Sequence, residues 1–339
     1  MSREPPSFVL APMQDVTNLA FWHALAPRGG ADVYVTEYFR VHTSSRLEPS
    51  ILESITRNPT GCPVMAQLIG RDIDLLEKAA RELQAYPIAG IDLNLGCPAP
   101  IVCGKDCGGA LLKDPERIRG IVERLRPVVQ GSLTLKTRVG FASADEFDAL
   151  LDLFAALPVD GLAVHGRTVK EKYQSVVHTE QIARAVDRLP YPVVANGSMI
   201  SVASALGMLA KTRASGLMIG RGAIRNPWLF SQVRQALAGE PVFAPVKSDM
   251  LDYVTHLFDE VAHIMPNYTE SGHAQRMKRF MNYIALGMGD GTFLHDIRRI
   301  EGPDDFHRVC GEHLGGSDPV PAEPEEDGKL FCGFRELAT

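Results

Sequence analysis

The sequence predicts an α/β fold, a (β/α)8 TIM barrel followed by a small C-terminal helical bundle, on three observations. Eight short apolar runs recur along the first two-thirds of the chain, amphipathic stretches separate most of them, and each run closes on a polar residue or Gly. Runs that are apolar throughout suit strands buried on both faces, as in a parallel sheet covered by helices. Eight strand–helix units fit a closed barrel better than an open sheet, and such barrels carry their functional groups at the C-terminal ends of the strands.

The runs occupy residues 8–13, 33–38, 64–70, 91–97, 133–140, 162–168, 192–198 and 217–222. Between them, 74–83 sets Leu75, Leu76, Ala79, Ala80 and Leu83 on one helical stripe. Residues 116–125 turn Ile118, Ile121, Val122 and Leu125 inward, with Pro115 at the helix start. From about residue 240 the alternation stops. Met250, Val254, Leu257, Val261 and Ile264 then mark one helix. Met277, Phe280, Met281 and Ile284 mark a second, with Arg276 and Arg279 on its opposite face, and 303–314 reads as a third. The expected division is a catalytic barrel over 1–239, a helical domain over 240–315 and a flexible tail over 316–339, since GGSDPVPAEPEEDG is Pro-rich and acidic.

Bulk properties narrow the class. The 339 residues are 45% hydrophobic and 22% charged, an ordinary globular composition. No run approaches the ~20 apolar residues of a membrane span, and residues 1–7 lack the apolar stretch of a secretory leader. A cytoplasmic monomer, away from membranes, is the expectation. The net charge of −6 argues against coating nucleic acid non-specifically. It leaves room for a local basic groove, because attraction to phosphates decays over a Debye length of ~8 Å. Cys62, Cys97, Cys103, Cys107, Cys310 and Cys332 do not read as a disulfide framework. The C-x5-C-x3-C spacing of Cys97, Cys103 and Cys107 matches neither zinc nor ferredoxin patterns, so no metal is expected.

The polar strand ends are Met13, Glu37, Gln67, Asn94, Cys97, Lys136, Arg138, His165, Asn196 and Arg221. Cys97 follows a strand and a Gly and precedes Pro98, so a tight loop holds it over the barrel mouth. A thiol with an ordinary pKa near ~8.5 is mostly protonated at neutral pH and can act as a general acid. Most free cysteines are small buried hydrophobes, but placement at a strand end favours chemistry. Gly220, Arg221 and Gly222 end the last run before a helix opening near Pro227, with Asn196–Gly197 on the preceding strand; together they suit a phosphate. Lys136 and Arg138 share one side of their strand and need an anionic or carbonyl-rich partner there. His165 could reach the phosphate or a ring edge, and Gln67 offers a donor and an acceptor.

Nine ordered motifs resemble the tRNA-dihydrouridine synthase family: APM at 11–13, TEY at 36–38, QL at 67–68, DLNLGCP at 92–98 and GGALLKDP at 108–115, then KTR at 136–138, VHGRT at 164–168, ANG at 195–197 and IGRGA at 219–223. The resemblance is strong over 8–235 and weaker over 272–314, which is similar to that family's helical RNA-binding domain. It implies FMN as cofactor, NADPH or NADH as reductant, and reduction of uridine to 5,6-dihydrouridine in tRNA. By this resemblance Ala11, Pro12, Met13, Gln67, Lys136, His165, Asn196, Gly197, Ser198, Gly220 and Arg221 hold FMN. Cys97 protonates C5 while hydride from flavin N5 reaches C6; Asn94 and Arg138 orient the flipped-out uracil, and Tyr38 lines the pocket.

Two departures stand out. Ser198 follows ANG where the family usually has an acidic residue, and Pro100–Ile101 stand where it often has a basic one, with Lys105 a few places later. Residues 241–315 carry 7 Lys/Arg against 11 Asp/Glu, so RNA contact there needs a narrow patch; Arg276, Lys278, Arg279, Arg298 and Arg299 are its candidates. The competing readings are a flavin barrel acting on a small pyrimidine, as dihydroorotate dehydrogenases do, and a dihydrouridine synthase acting on ribosomal RNA.

Overall fold

A computed structural model describes residues 5–325 and 328–338. Eight parallel strands close into a barrel: β1 (Ser7–Leu10), β2 (Val33–Val35), β3 (Val64–Ile69), β4 (Gly90–Leu95), β5 (Ser132–Arg138), β6 (Gly161–His165), β7 (Val193–Asn196) and β8 (Gly216–Ile219). β1 pairs with both β2 and β8, β2 pairs with β3, and the remaining strands pair in sequence, as the eight apolar runs predicted. A two-residue strand, Phe39–Arg40, extends the pairing at the far end of β3. Every residue of β3, β4, β6 and β8 is buried, including Asp92 and Asn94, which alternate with Ile91, Leu93 and Leu95 along β4 and point to the barrel's polar interior belt.

The core has two layers. Inside the barrel Val9, Ala11, Val35, Met65, Ala163 and Met218 form a compact plug. Between the sheet and the surrounding helices runs a much larger cluster that includes Ile118, Ile121, Val122 and Leu125, the stripe read from the sequence. Helix starts follow the local chemistry. The Asp72 carboxylate accepts the Leu75 amide at 3.0 Å and opens Ile73–Leu83; Asp114 accepts the Arg117 amide at 3.1 Å and opens Pro115–Leu125. Each such cap is worth about 1 kcal/mol.

Helices Lys247–Ile264, Glu270–Ile284 and Pro303–Leu314 follow, with a short additional helix at Thr292–Ile297. The first packs on Leu19–Leu25 of the barrel. Phe280 stacks on Phe21 with ring centroids 6.1 Å apart, and Arg28 holds Asp252 at 2.8 Å. The bundle is thus seated on the barrel through an apolar seam.

Two expectations are overturned. Arg276 does not sit on a solvated face: it is 7% exposed and turns towards the barrel, 3.5 Å from Asp15, which Arg279 also contacts at 3.1 Å. Nor is the described part of 316–339 a free tail. Lys247 donates its amide to the Asp318 carbonyl, Val246 bridges Pro319, and Phe331, Phe334 and Leu337 are buried. Three apolar side chains inside an acidic, Pro-rich stretch suffice to anchor it.

Candidate active site

Strand register assembles the polar ends into a belt. Gln67 lies beside Asp92, Asn94 beside Lys136, Arg138 beside His165, and His165 beside Asn196. Above this belt opens a cavity of about 580 Å³, within the ~300–1,000 Å³ of ligand sites. Of the residues expected around one site, Ala11, Pro12, Met13, Tyr38, Asn94, Cys97, Lys136, Arg138, His165, Asn196, Gly197, Ser198, Gly220 and Arg221 all line it.

Gln67 is the exception: it does not line the cavity. It is fully buried below the cavity, its Nε2 donating to Asp92 Oδ2 at 2.7 Å and its Oε1 accepting from Asn94 Nδ2 at 2.9 Å. Thr134 donates to the other Asp92 oxygen at 2.6 Å. Burial pushes the Asp92 carboxyl up to about 6, against the pull of these hydrogen bonds and of Lys136.

That network ends at the thiol loop. Asn94 Oδ1 accepts the amides of Gly96 at 3.1 Å and Cys97 at 2.9 Å, so the side chain expected to orient a uracil has both polar ends engaged in shaping the turn. Arg138 donates through Nε to the Gly96 carbonyl at 2.7 Å and through Nη1 to the Thr168 and Lys172 carbonyls at 2.9 and 2.6 Å. Gly109 donates its amide to the Cys97 carbonyl at 3.0 Å, and Cys103 Sγ–H points at the same oxygen at 3.3 Å. Cys97 packs against an apolar cluster of Tyr38, Ile69 and Val102. Its place is set through the main chain of residues 96 and 97, which the Asn94 and Arg138 side chains and the Gly109 amide hold.

The opposite wall is cationic. Lys136 Nζ reaches Asn196 Oδ1 at 3.4 Å, and Asn196 Nδ2 donates to the Met218 carbonyl at 2.6 Å. Burial, with Arg138 nearby, pushes the Lys136 ammonium down to about 8. Burial and four surrounding cations hold the His165 pKa well below its ordinary value, so the ring is neutral at neutral pH. Arg167 Nη1 lies 3.4 Å from His165 Nε2; a guanidinium can only donate, which leaves the ring proton on Nδ1. Tyr173 sits between Arg138 and Arg221, whose guanidinium carbons lie 5.2 and 5.0 Å from its ring centroid. Ser198 accepts from Arg167 Nη2 at 2.8 Å and donates to the Cys332 carbonyl; a carboxylate there would face that carbonyl oxygen to oxygen.

A flavin would fit this donor set. A Cβ on Gly220 would come within 2.8 Å of Met13 Sδ, so the glycine keeps the floor beside Arg221 open. The expected helix near Pro227 is two: Arg221–Arg225 begins at the strand end itself and Leu229–Ala238 follows. Tyr173, Tyr283, Lys329 and Leu330 also line the cavity, and Asp92 and Arg167 lie behind it against Gln67 and His165; the strand-end pattern singles out none of the six. Arg167 stands two places after His165, a spacing that could have found it; Tyr283 and Leu330 reach the cavity from distant elements, and no local pattern marks them. Among the described residues no group of three or more His, Cys, Asp or Glu could hold a metal ion, and no helix is long and apolar enough to cross a membrane.

A barrel with one deep cavity at its strand ends, a thiol on one wall and cations on the other, has the form of an enzyme. A family model described as dihydrouridine synthase matches residues 9–311, and the chain belongs to that family. It is 33% identical over 329 residues to the tRNA-dihydrouridine(16) synthase of Ralstonia nicotianae, covering 93% of this chain and 98% of that one. The protein of the same name from Haemophilus ducreyi is 31% identical over 316 residues, covering 89% and 93%. That of Neisseria meningitidis serogroup B is 32% identical over 319 residues, covering 91% and 95%. Among solved structures, a 2-naphthoyl-CoA reductase complex superposes with a TM-score of 0.55 at 13% identity, over 69% of this chain and 50% of that one; the likeness concerns the fold.

Proposed function

We propose that this protein reduces the C5–C6 double bond of a uridine in tRNA to 5,6-dihydrouridine, with FMN as cofactor and NADPH or NADH as the source of electrons. The observation that carries the reading is a single cavity lined at once by Cys97 and by Lys136, Asn196 and Arg221. Family membership and the relatives' names support the same chemistry, and the names of these three support position 16 as the target. We read the protein as acting as a cytoplasmic monomer.

In this reading Ala11, Pro12 and Met13 pave the floor for the flavin ring. Lys136, Asn196 and the His165 Nδ1–H would hold its polar edge, and Gly197, Ser198, Gly220 and Arg221 its phosphate. When bound and reduced, FMN supplies the hydride for C6 of the pyrimidine. Cys97 gives the proton of its Sγ–H to C5 and regains one from solvent. The uridine must leave its stack to lie in the cavity, and Tyr38 and Tyr283 give it an aromatic rim. Lys136 balances negative charge placed on the ring edge facing it. The barrel at 1–239 carries this chemistry and the helices of 240–315 present the RNA, with Arg279 as an exposed cation of that surface.

Two measurements test the reading. Deleting the gene should abolish dihydrouridine at position 16 in position-resolved mass spectrometry of tRNA; an unchanged tRNA with a loss in ribosomal RNA would reassign the substrate. The Lys136 ammonium gives a second expectation with a definite sign. Below about pH 8 the free protein holds this charge, and above it the charge is lost unless a bound anion restores it. FMN affinity should therefore fall as pH rises through about 8, by up to about tenfold per pH unit. In Lys136→Met the affinity should be weaker and flat over the same range; a surviving alkaline limb would assign the titration to another group.

A further inference from the structure

The segment beyond the helical bundle touches the cavity at its cationic wall. Among the described residues, Arg225 Nη1 donates to the Pro321 and Ala322 carbonyls at 3.0 and 3.1 Å, and Ser201 donates to the Glu323 carboxylate. Further on, Arg221 Nη1 donates to the Leu330 carbonyl, while Arg167 Nη2 and Ser198 Oγ both donate to the Cys332 carbonyl, the former at 2.8 Å. Lys329 and Leu330 line the cavity itself. This stretch lies outside residues 9–311, so the family match assigns it nothing.

Its anchorage is specific. Phe331 and Phe334 are 1% and 0% exposed and pack on Ile200, in the loop that follows Ser198. The short helix Arg335–Ala338 lies against Val202–Thr212 so closely that a Cβ on Gly207 would fall 1.6 Å from the Leu337 carbonyl oxygen. A mid-helix glycine is costly unless something needs the space, and here a backbone does.

Buried guanidinium groups need acceptors that fix their direction. Among the described residues the Leu330 carbonyl is the hydrogen-bond acceptor that the Arg221 side chain finds, and Arg167 divides its donors among Ser175, Ser198 and Cys332. Remove the strap and Arg221 loses its carbonyl acceptor and Arg167 one of its three partners, while the cavity loses one wall and the Lys329 cation.

We infer that residues 328–338 are a built-in part of the cofactor site, a strap whose Leu330 carbonyl orients Arg221 towards the phosphate of a flavin mononucleotide, whose Cys332 carbonyl fixes Ser198 and the buried Arg167 beside it, and whose Lys329 adds to the same anion cradle. This rests on the FMN reading above. The strap carries no chemistry; its residues position the groups that hold the anion.

The test measures FMN dissociation constants by fluorescence quenching for three proteins: the full chain, a chain ending at Asp327, and the full-length double variant Phe331→Ser/Phe334→Ser, which frees the strap without shortening the chain. The full chain should bind FMN, and both altered proteins should bind it at least about tenfold more weakly. Riboflavin, which lacks the phosphate, should bind all three with much smaller differences. An unaltered FMN affinity in the double variant would overturn the proposal, as would an equal loss for riboflavin, which would mean the strap shapes the ring pocket instead. A full chain that fails to bind FMN would count against the flavin reading itself, a different outcome from a strap without effect. Should the truncated chain fail to fold, the double variant decides alone.

Discussion

Cys97→Ala is expected to leave the reduction of bound flavin by NADPH at its native rate while uridine reduction falls by ~10²–10⁴-fold, the usual loss on removing a general acid. The two half-reactions separate because the thiol has no part in the first. Its loop is held by Asn94, Arg138 and Gly109 through the backbone of residues 96 and 97, and none of these contacts involves the sulfur. The alanine variant should therefore fold and bind both nucleotide and RNA as before. Stopped-flow bleaching of the flavin, followed by dihydrouridine yield on added tRNA, reads the two steps separately. A product rate that stays native would remove Cys97 from the mechanism; a slowed bleaching step would mean that it shapes the flavin site instead.

Arg138→Met is expected to cost about 10²-fold in activity, with far less loss of stability than its three hydrogen bonds imply. The guanidinium fastens Gly96 to the 168–172 loop across the cavity mouth. Without it the thiol loop drifts, and a displacement of about 1 Å at a reacting group can cost about 10²-fold. Stability suffers two opposed changes. Three carbonyls lose a donor, at about 1–3 kcal/mol for each group left buried and unpaired. Against this, a guanidinium whose burial pushes its pKa down is no longer held out of water, a relief that offsets much of the loss. Thermal melts and kcat/KM measured together check this; parallel collapse of both would make Arg138 a stability residue with no separate role in placing the thiol.

The parts of this architecture that were legible in the sequence share one property: they are local. Eight apolar runs each ending in a polar residue announce a barrel, and position along a strand places Cys97, Lys136, His165 and Asn196 at its mouth. The differences arise where a distant neighbour decides. Gln67 sits at a strand end like the others, yet register sets it beside Asp92 and below Asn94, and those partners consume both ends of its amide. Arg276 is expected opposite Met277 and Phe280, but it stands one turn before Phe280 and so shares that residue's side of the helix, where the barrel loop carrying Asp15 covers it. The acidic composition of 316–339 hid Phe331, Phe334 and Leu337, because average hydropathy dilutes three anchors among many polar residues.

The fastening of the thiol loop has a consequence for how such proteins diverge. Its contacts use the carbonyls of Gly96 and Cys97 and the amides of residues 96, 97 and 109, atoms that almost any side chain would leave in place. Pro100 and Ile101 can then change with little penalty to proton delivery, whereas Val102, packed with Cys97, and Cys103, bonded to the Cys97 carbonyl, are constrained. Pro100–Ile101 in place of the family's frequent basic residue, with Ile101 64% exposed, is the kind of drift this freedom permits. Differences among homologues in that stretch should record what each protein's outer surface encounters, and carry little information about the reaction within.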